Sequence, residues 1–142
     1  MKVGDICSRD VTTVTAFTKL TDAARLLCDG GAEAIVAIAS SVSQPTAIGI
    51  LTDRDILRAL LDRSGELSGL NVVDILSRRP TVLDQDEEIQ DAMAKLQARG
   101  IEYAPVVGPG GTLWGVISKR ELYEYVFPRI ARGSLPDANC VR

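Results

Sequence analysis

Apolar positions along the chain fall into helical and extended periods, and the same succession occurs twice. Leu20, Ala23, Ala24 and Leu27 recur at helical spacing and stop at Gly30-Gly31. Ile89, Ala92, Met93 and Leu96 do the same before Gly100. Each set predicts an amphipathic helix ended by a glycine able to turn left-handed. A short extended segment precedes each helix, at 11–14 and at 81–83. Two apolar runs follow each helix and predict strands: 34–39 with 47–51, and 104–107 with 113–117. Gly108-Pro109-Gly110-Gly111 between the last two is a hairpin-turn signal and lacks the Gly-Lys-Ser/Thr ending of a phosphate loop. A closing helix is predicted at 54–62 and again at 120–127.

The two β-α-β-β-α units also match letter by letter. Val3-Gly4-Asp5-Ile6-Cys7-Ser8-Arg9 parallels Val72-Val73-Asp74-Ile75-Leu76-Ser77-Arg78, with Asp5 and Asp74 as helix-start residues. Asp22-Ala23 falls on Asp91-Ala92, and Gly31 on Gly100. Gly49-Ile50-Leu51-Thr52-Asp53-Arg54-Asp55 falls on Gly115-Val116-Ile117-Ser118-Lys119-Arg120-Glu121. The spacing shortens before this last match, which places a small insertion in the polar tip Ser40-Ser41-Val42-Ser43-Gln44-Pro45, where extra residues cost little. The expected organisation is a first repeat at 1–63, a linker at 64–71, a second repeat at 72–128 and a tail at 129–142. One such unit is too small to bury both faces of its sheet, but two packed sheet to sheet can. The duplication therefore predicts an α/β (α+β) fold with pseudo-twofold symmetry and a cleft between the copies.

Composition narrows the function. Of 142 residues, 46% are hydrophobic and 25% charged, which is globular rather than disordered. Aromatic residues are 4%, so aliphatic side chains must build the core. The net charge of −3 gives no basic face for nucleic acid, and Arg78-Arg79 is too short to supply one. No apolar run is long enough to span a bilayer, and the start lacks a secretory pattern, so a cytoplasmic protein is expected. There is no histidine, which removes the commonest general base and metal ligand. No nucleophile elbow or carboxylate pair stands out, and the chain is not expected to be an enzyme. Cys7, Cys28 and Cys140 fit no zinc spacing and read as reduced thiols, two of them in the core.

The most informative stretch joins a buried strand to a helix start at Thr52-Asp53-Arg54-Asp55. A helix N-terminus welcomes an anion, a threonine hydroxyl can bond phosphate, and an aspartate suits the vicinal hydroxyls of a ribose. The same spacing is also a capping box that needs no ligand, and Ser118 with Glu121 fits that box better. Both readings stand at this point. Trp114 and Tyr103 read first as packing residues.

The duplicated order and the Gly-x-hydrophobic-Thr/Ser-x-x-Asp segment resemble tandem cystathionine-beta-synthase (CBS) domains, over about residues 1–127. The resemblance implies a regulatory module that dimerises and binds an adenosyl ligand (AMP, ADP, ATP or S-adenosylmethionine) between its units, with no cofactor required. It implies that Asp55 holds the ribose and Thr52 the phosphate, with Arg54 or Arg79 adding charge. Adenine would lie against Thr13, Val14, Ala34, Ile35 and Val36. A second site would use Thr81, Val82, Tyr103, Ala104, Pro105 and Ser118, with Glu121 in place of the usual aspartate. That replacement ranks the Thr52/Asp55 site first. The ligand would signal by conformational or oligomeric change to a regulated protein, with neither nucleic acid nor membrane as partner. The competing reading is a dimerising adaptor without a nucleotide site.

Overall fold

The structure, a computed structural model, describes residues 1–39, 44–77 and 80–127. The element order is α1 (Val3–Ile6), β1 (Thr13–Thr15), α2 (Leu20–Asp29), β2 (Ala34–Ala39), β3 (Thr46–Thr52) and α3 (Asp53–Asp62), followed by β4 (Leu83–Asp84), α4 (Ile89–Arg99), β5 (Tyr103–Val107), β6 (Leu113–Ser118) and α5 (Lys119–Val126). Short 3-10 turns occupy Val72–Asp74 and Pro109–Gly111. The predicted elements are present with ends shifted by a residue or two. Gly31 and Gly100 take positive φ just past α2 and α4, as the glycine stops require. The insertion tip at 40–43 and the tail lie outside the described residues. Among the described residues, no helix is long and apolar enough to cross a membrane.

Each copy forms a three-stranded sheet, β1-β2-β3 and β4-β5-β6. The outer pair is parallel across the helix crossover, and the hairpin pair is antiparallel. Alternation along the central strands explains the packing. Ile35 and Ala37 of β2 face the first core, and Ala104 and Val106 of β5 face the second. Val36 and Pro105 point the other way yet are also fully buried. The sheets therefore cover each other's second face, and β3 packs against β5.

The opening segments cross over. Val3 of the first copy lies in the second core with Leu83, Leu96, Ile117 and Leu122. Val72 of the second copy lies in the first core with Leu20, Ile35 and Leu51. Backbone bonds repeat the exchange in register. Val3 N–H donates to Glu87 O and Gly4 N–H to Gln85 O; Val72 N–H donates to Thr18 O and Val73 N–H to Ala16 O. Asp5 and Asp74 each accept the amide at the start of their turn, from Lys2 at 2.9 Å and Asn71 at 2.7 Å.

The exchange also explains the glycine that opens each strand-to-helix motif. A Cβ at Gly49 would stand 2.9 Å from Leu76 Cδ2, and one at Gly115 would collide with Ser8 O and Cys7 Sγ. Both glycines make room for the other copy's opening segment. Cys7 is half-buried there, and burial pushes its thiol pKa up. Cys28 is exposed, because α2 turns Leu20, Ala23, Ala24 and Leu27 inward and leaves Cys28 on the outer side. Cys140 lies outside the described residues.

Side-chain bonds also tie the copies together: Lys2 to Glu88, Thr112 to Gln44, and, beside the cleft, Tyr103 to Glu33. Tyr103 Oη donates to Glu33 Oε1 at 2.6 Å. This bond, aided by burial and the negative charges of Glu33, Asp53 and Glu102, pushes the Tyr103 pKa up to about 12.

Two predictions follow from the packing. Val3→Ala and Val72→Ala should each cost about 2 kcal/mol in denaturant unfolding, whereas Val73→Ala, on an exposed side chain, should cost less than about 0.5 kcal/mol. Equal, small losses at all three positions would contradict the exchange. Tyr103 binds its proton more tightly folded than unfolded, so its contribution is intact below pH 10 and is lost between pH 10 and about 12. Stability measured across that interval should fall with pH, and Tyr103→Phe should flatten that fall.

Candidate functional site

The strand-to-helix junction in the first copy has no intervening loop. Leu51 ends the buried side of β3, Thr52 is the N-cap of α3, and Asp55 stands in the first turn. Asp55 Oδ2 accepts from Thr52 N at 2.8 Å and from Thr52 Oγ1 at 3.2 Å. The Thr52 side chain makes no cap hydrogen bond of its own. In the second copy the box is closed both ways: Glu121 N donates to Ser118 Oγ and Ser118 N donates to Glu121 Oε1, each at 3.0 Å. Ser118 is only 8% exposed. The capping reading thus holds at both junctions, and only at Ser118 is the side-chain half of the box a full hydrogen bond.

The junction opens on a cavity of about 650 Å³ between the copies. Thr52, Arg54, Asp55 and Arg58 line one wall. Ser77, Pro80, Thr81 and Tyr103 come from the second copy. Glu102, Asp62 and Asp74 also face it, with Arg63 near the end of α3. A smaller cavity of about 370 Å³, lined by Leu27, Glu33 and Asp53, meets the first at Tyr103. The Tyr103 hydroxyl is occupied by Glu33, so the residue acts as a braced wall between the two rather than only as packing.

The placement regroups the expected site. Thr81 and Tyr103, assigned with Ser118 and Glu121, instead share the cavity of Thr52, Arg54 and Asp55. Tyr103 does pair with Ser118 in the sheet register, but its side chain crosses to the first copy. The adenine wall needs correction. Ile35, Val36, Ala104 and Pro105 are buried because each central strand has a helical layer on one face and the other sheet on the second, and Val14 of the edge strand β1 is buried in the first core. Their side chains are core, not cavity lining. Thr13 is exposed, and Ala34 and Val82 are half-buried, but none of the three lines the large cavity. Arg79 lies outside the described residues. Arg58 was missed, although its spacing from Arg54 put both on one face of α3. Trp114 packs on the second core, donates from Nε1 to Gly4 O at 3.2 Å and carries the Arg9 guanidinium over its ring.

Known proteins share this arrangement. Residues 3–62 and 72–128 match the CBS domain family. Protein MK0525 of Methanopyrus kandleri is 24% identical over 87% of the chain, which spans 62% of that protein. A homoserine O-acetyltransferase of Methanohalophilus mahii is 32% identical over 83% of the chain, which spans only 23% of that enzyme. Among solved structures, CBSX2 in complex with AMP superposes with a TM-score of 0.73 at 22% identity, covering 89% of this chain and 96% of that one. The CBS domain pair of MJ0100, in complex with 5′-methylthioadenosine and S-adenosylmethionine, superposes with a TM-score of 0.74 at 19% identity, covering 91% and 98%. At these identities the structures speak to the fold. The family match, once per repeat and in order, settles membership: the chain belongs to the CBS domain family and carries two CBS domains packed as a pair.

Proposed function

We propose that this chain is a non-catalytic regulatory module that binds an adenosyl ligand in the cavity at Thr52 and Asp55. The observation that carries the reading is the meeting, in one cavity between the copies, of the Thr52/Asp55 junction with Thr81 and Tyr103. Its volume falls within the range of small-molecule sites. Asp55 would take the ribose hydroxyls and Thr52 an oxygen of the ligand's tail. Relatives of the same fold with AMP or S-adenosylmethionine bound support the ligand class. The ligand would touch both copies at once, so it can favour one packing of the pair over another and pass that bias to a regulated partner. Leu57 and Leu61, one turn apart on α3 and exposed, supply an apolar face for a second copy of the chain.

Thermal melting with AMP, ADP, ATP and S-adenosylmethionine tests the reading. A ligand at about a hundred times its Kd adds roughly 2.7 kcal/mol, which for a chain of this size raises Tm by about 5–10 °C. Asp55→Ala should reduce that ligand-induced shift more than Glu121→Ala does, each measured against its own unliganded Tm. No shift with any of the four would favour the ligand-free adaptor instead.

A further inference from the structure

The two copies differ at the cleft end of their seam. Glu33 and Glu102 hold matching positions just before β2 and β5, and Asp53 and Lys119 hold matching positions at the starts of α3 and α5. In the second copy Glu102 pairs with Lys119 at 3.4 Å. In the first copy the same two positions are both carboxylates, and neither Glu33 nor Asp53 makes an ion pair among the described residues. Like charges repel, and Glu33 reaches across the seam instead, accepting from Tyr103 Oη at 2.6 Å. The bond has no counterpart on the other side, where Ala34 stands at the position matching Tyr103. Among the described residues, Tyr103 alone lines both cavities, so its ring divides a space of about 650 Å³ from one of about 370 Å³. At the far ends of β3 and β6 the copies are joined through backbone: Leu113 N–H donates to Pro45 O at 2.9 Å, and Thr46 bridges to Thr112.

We propose that Tyr103 and Glu33 form a latch between the copies, and that Tyr103 is a positioning residue for the occupant of the large cavity. Latched, its ring is a fixed wall. Unlatched, the ring swings, the two cavities join and the occupant is held less tightly. The latch rests on the adenosyl reading above and supplies its regulation. Whatever binds against the latched wall stabilises the latch, and the latch tightens binding by the same factor. The carboxylate acceptor makes the bond charge-assisted, and that bond is the largest cause of the Tyr103 pKa standing at about 12.

Calorimetric titration and denaturant unfolding of the full chain test the latch on Tyr103→Phe, Glu33→Ala, Glu33→Gln and the double variant Tyr103→Phe/Glu33→Ala. Phenylalanine keeps the ring and removes only the hydroxyl, and Glu33 is exposed, so each variant should fold. Tyr103→Phe and Glu33→Ala should each weaken the tightest of AMP, ADP, ATP and S-adenosylmethionine about fivefold. The double variant should lose no more than either single one. Glu33→Gln, whose amide oxygen still accepts, should keep most of the affinity. A Kd unchanged in Tyr103→Phe, or losses that add in the double variant, would overturn the latch while leaving the adenosyl site intact. Without ligand, the two positions should show the same non-additivity in unfolding. If none of the four ligands binds, the adenosyl reading falls and the unfolding cycle alone decides the latch: coupling upholds it, and additive losses overturn it.

Discussion

The exchange of opening segments is the constraint on which the rest of the molecule depends. Neither core is complete within its own repeat: Val3 fills the second and Val72 the first. A single repeat would lose that side chain and expose the second face of its sheet, where Val36 or Pro105 now lies buried. The pair is therefore one cooperative body, and its cleft is an internal seam rather than a gap between independent domains. The same chain that seals the first core goes on to shape the cleft. After the turn at Val72–Asp74 it runs through Ile75, Ser77, Pro80 and Thr81, all on the cavity. A ligand there presses on residues a few positions from the anchor Val72. That is a short physical route from occupancy to the packing of the two copies.

Much of the fold could be read from the sequence because its signals are local. Leu20, Ala23, Ala24 and Leu27 announce a helix whatever lies beside it, and Gly31 and Gly100 mark its end through their backbone freedom. The exchange could not be read, because periodicity says which side of an element is apolar and not which copy will cover it. Val3 and Val72 look like ordinary first residues of their own units. Gly49 and Gly115 were visible as a repeated letter, but their reason, room for Leu76 and for Ser8 with Cys7, exists only across the seam.

The site divides along the same line. Thr52, Arg54 and Asp55 were recognisable because they sit together at one junction. Thr81 and Tyr103 were assigned to the other cleft because a grouping by repeat assumes that each copy builds its own site, whereas this cavity takes one wall from each. Val14, Ile35, Val36, Ala104 and Pro105 were expected on a wall because strands near a ligand usually show it one face. In this fold the central strands have no free face to show, and Val14 of the edge strand β1 turns into the first core.

Capping and ligand binding at Thr52 and Asp55 need not compete. A carboxylate has two oxygens, and the bonds from Thr52 N and Thr52 Oγ1 both go to Oδ2, so Oδ1 keeps its acceptor sites. The Thr52 hydroxyl is a donor in that contact, and the Asp55 amide faces it without forming a full cap hydrogen bond, so it keeps acceptor capacity for another donor. At the other junction the Ser118 hydroxyl already accepts from the Glu121 amide, and the residue is nearly sealed from solvent. The two copies thus began from one motif and spend it differently. In the second the box, with its side-chain hydrogen bond, closes a helix start against the core; in the first it faces a cavity whose Arg54 and Arg58 make no ion pair among the described residues. The asymmetry lies less in aspartate against glutamate than in where the hydroxyl's bonding capacity has gone.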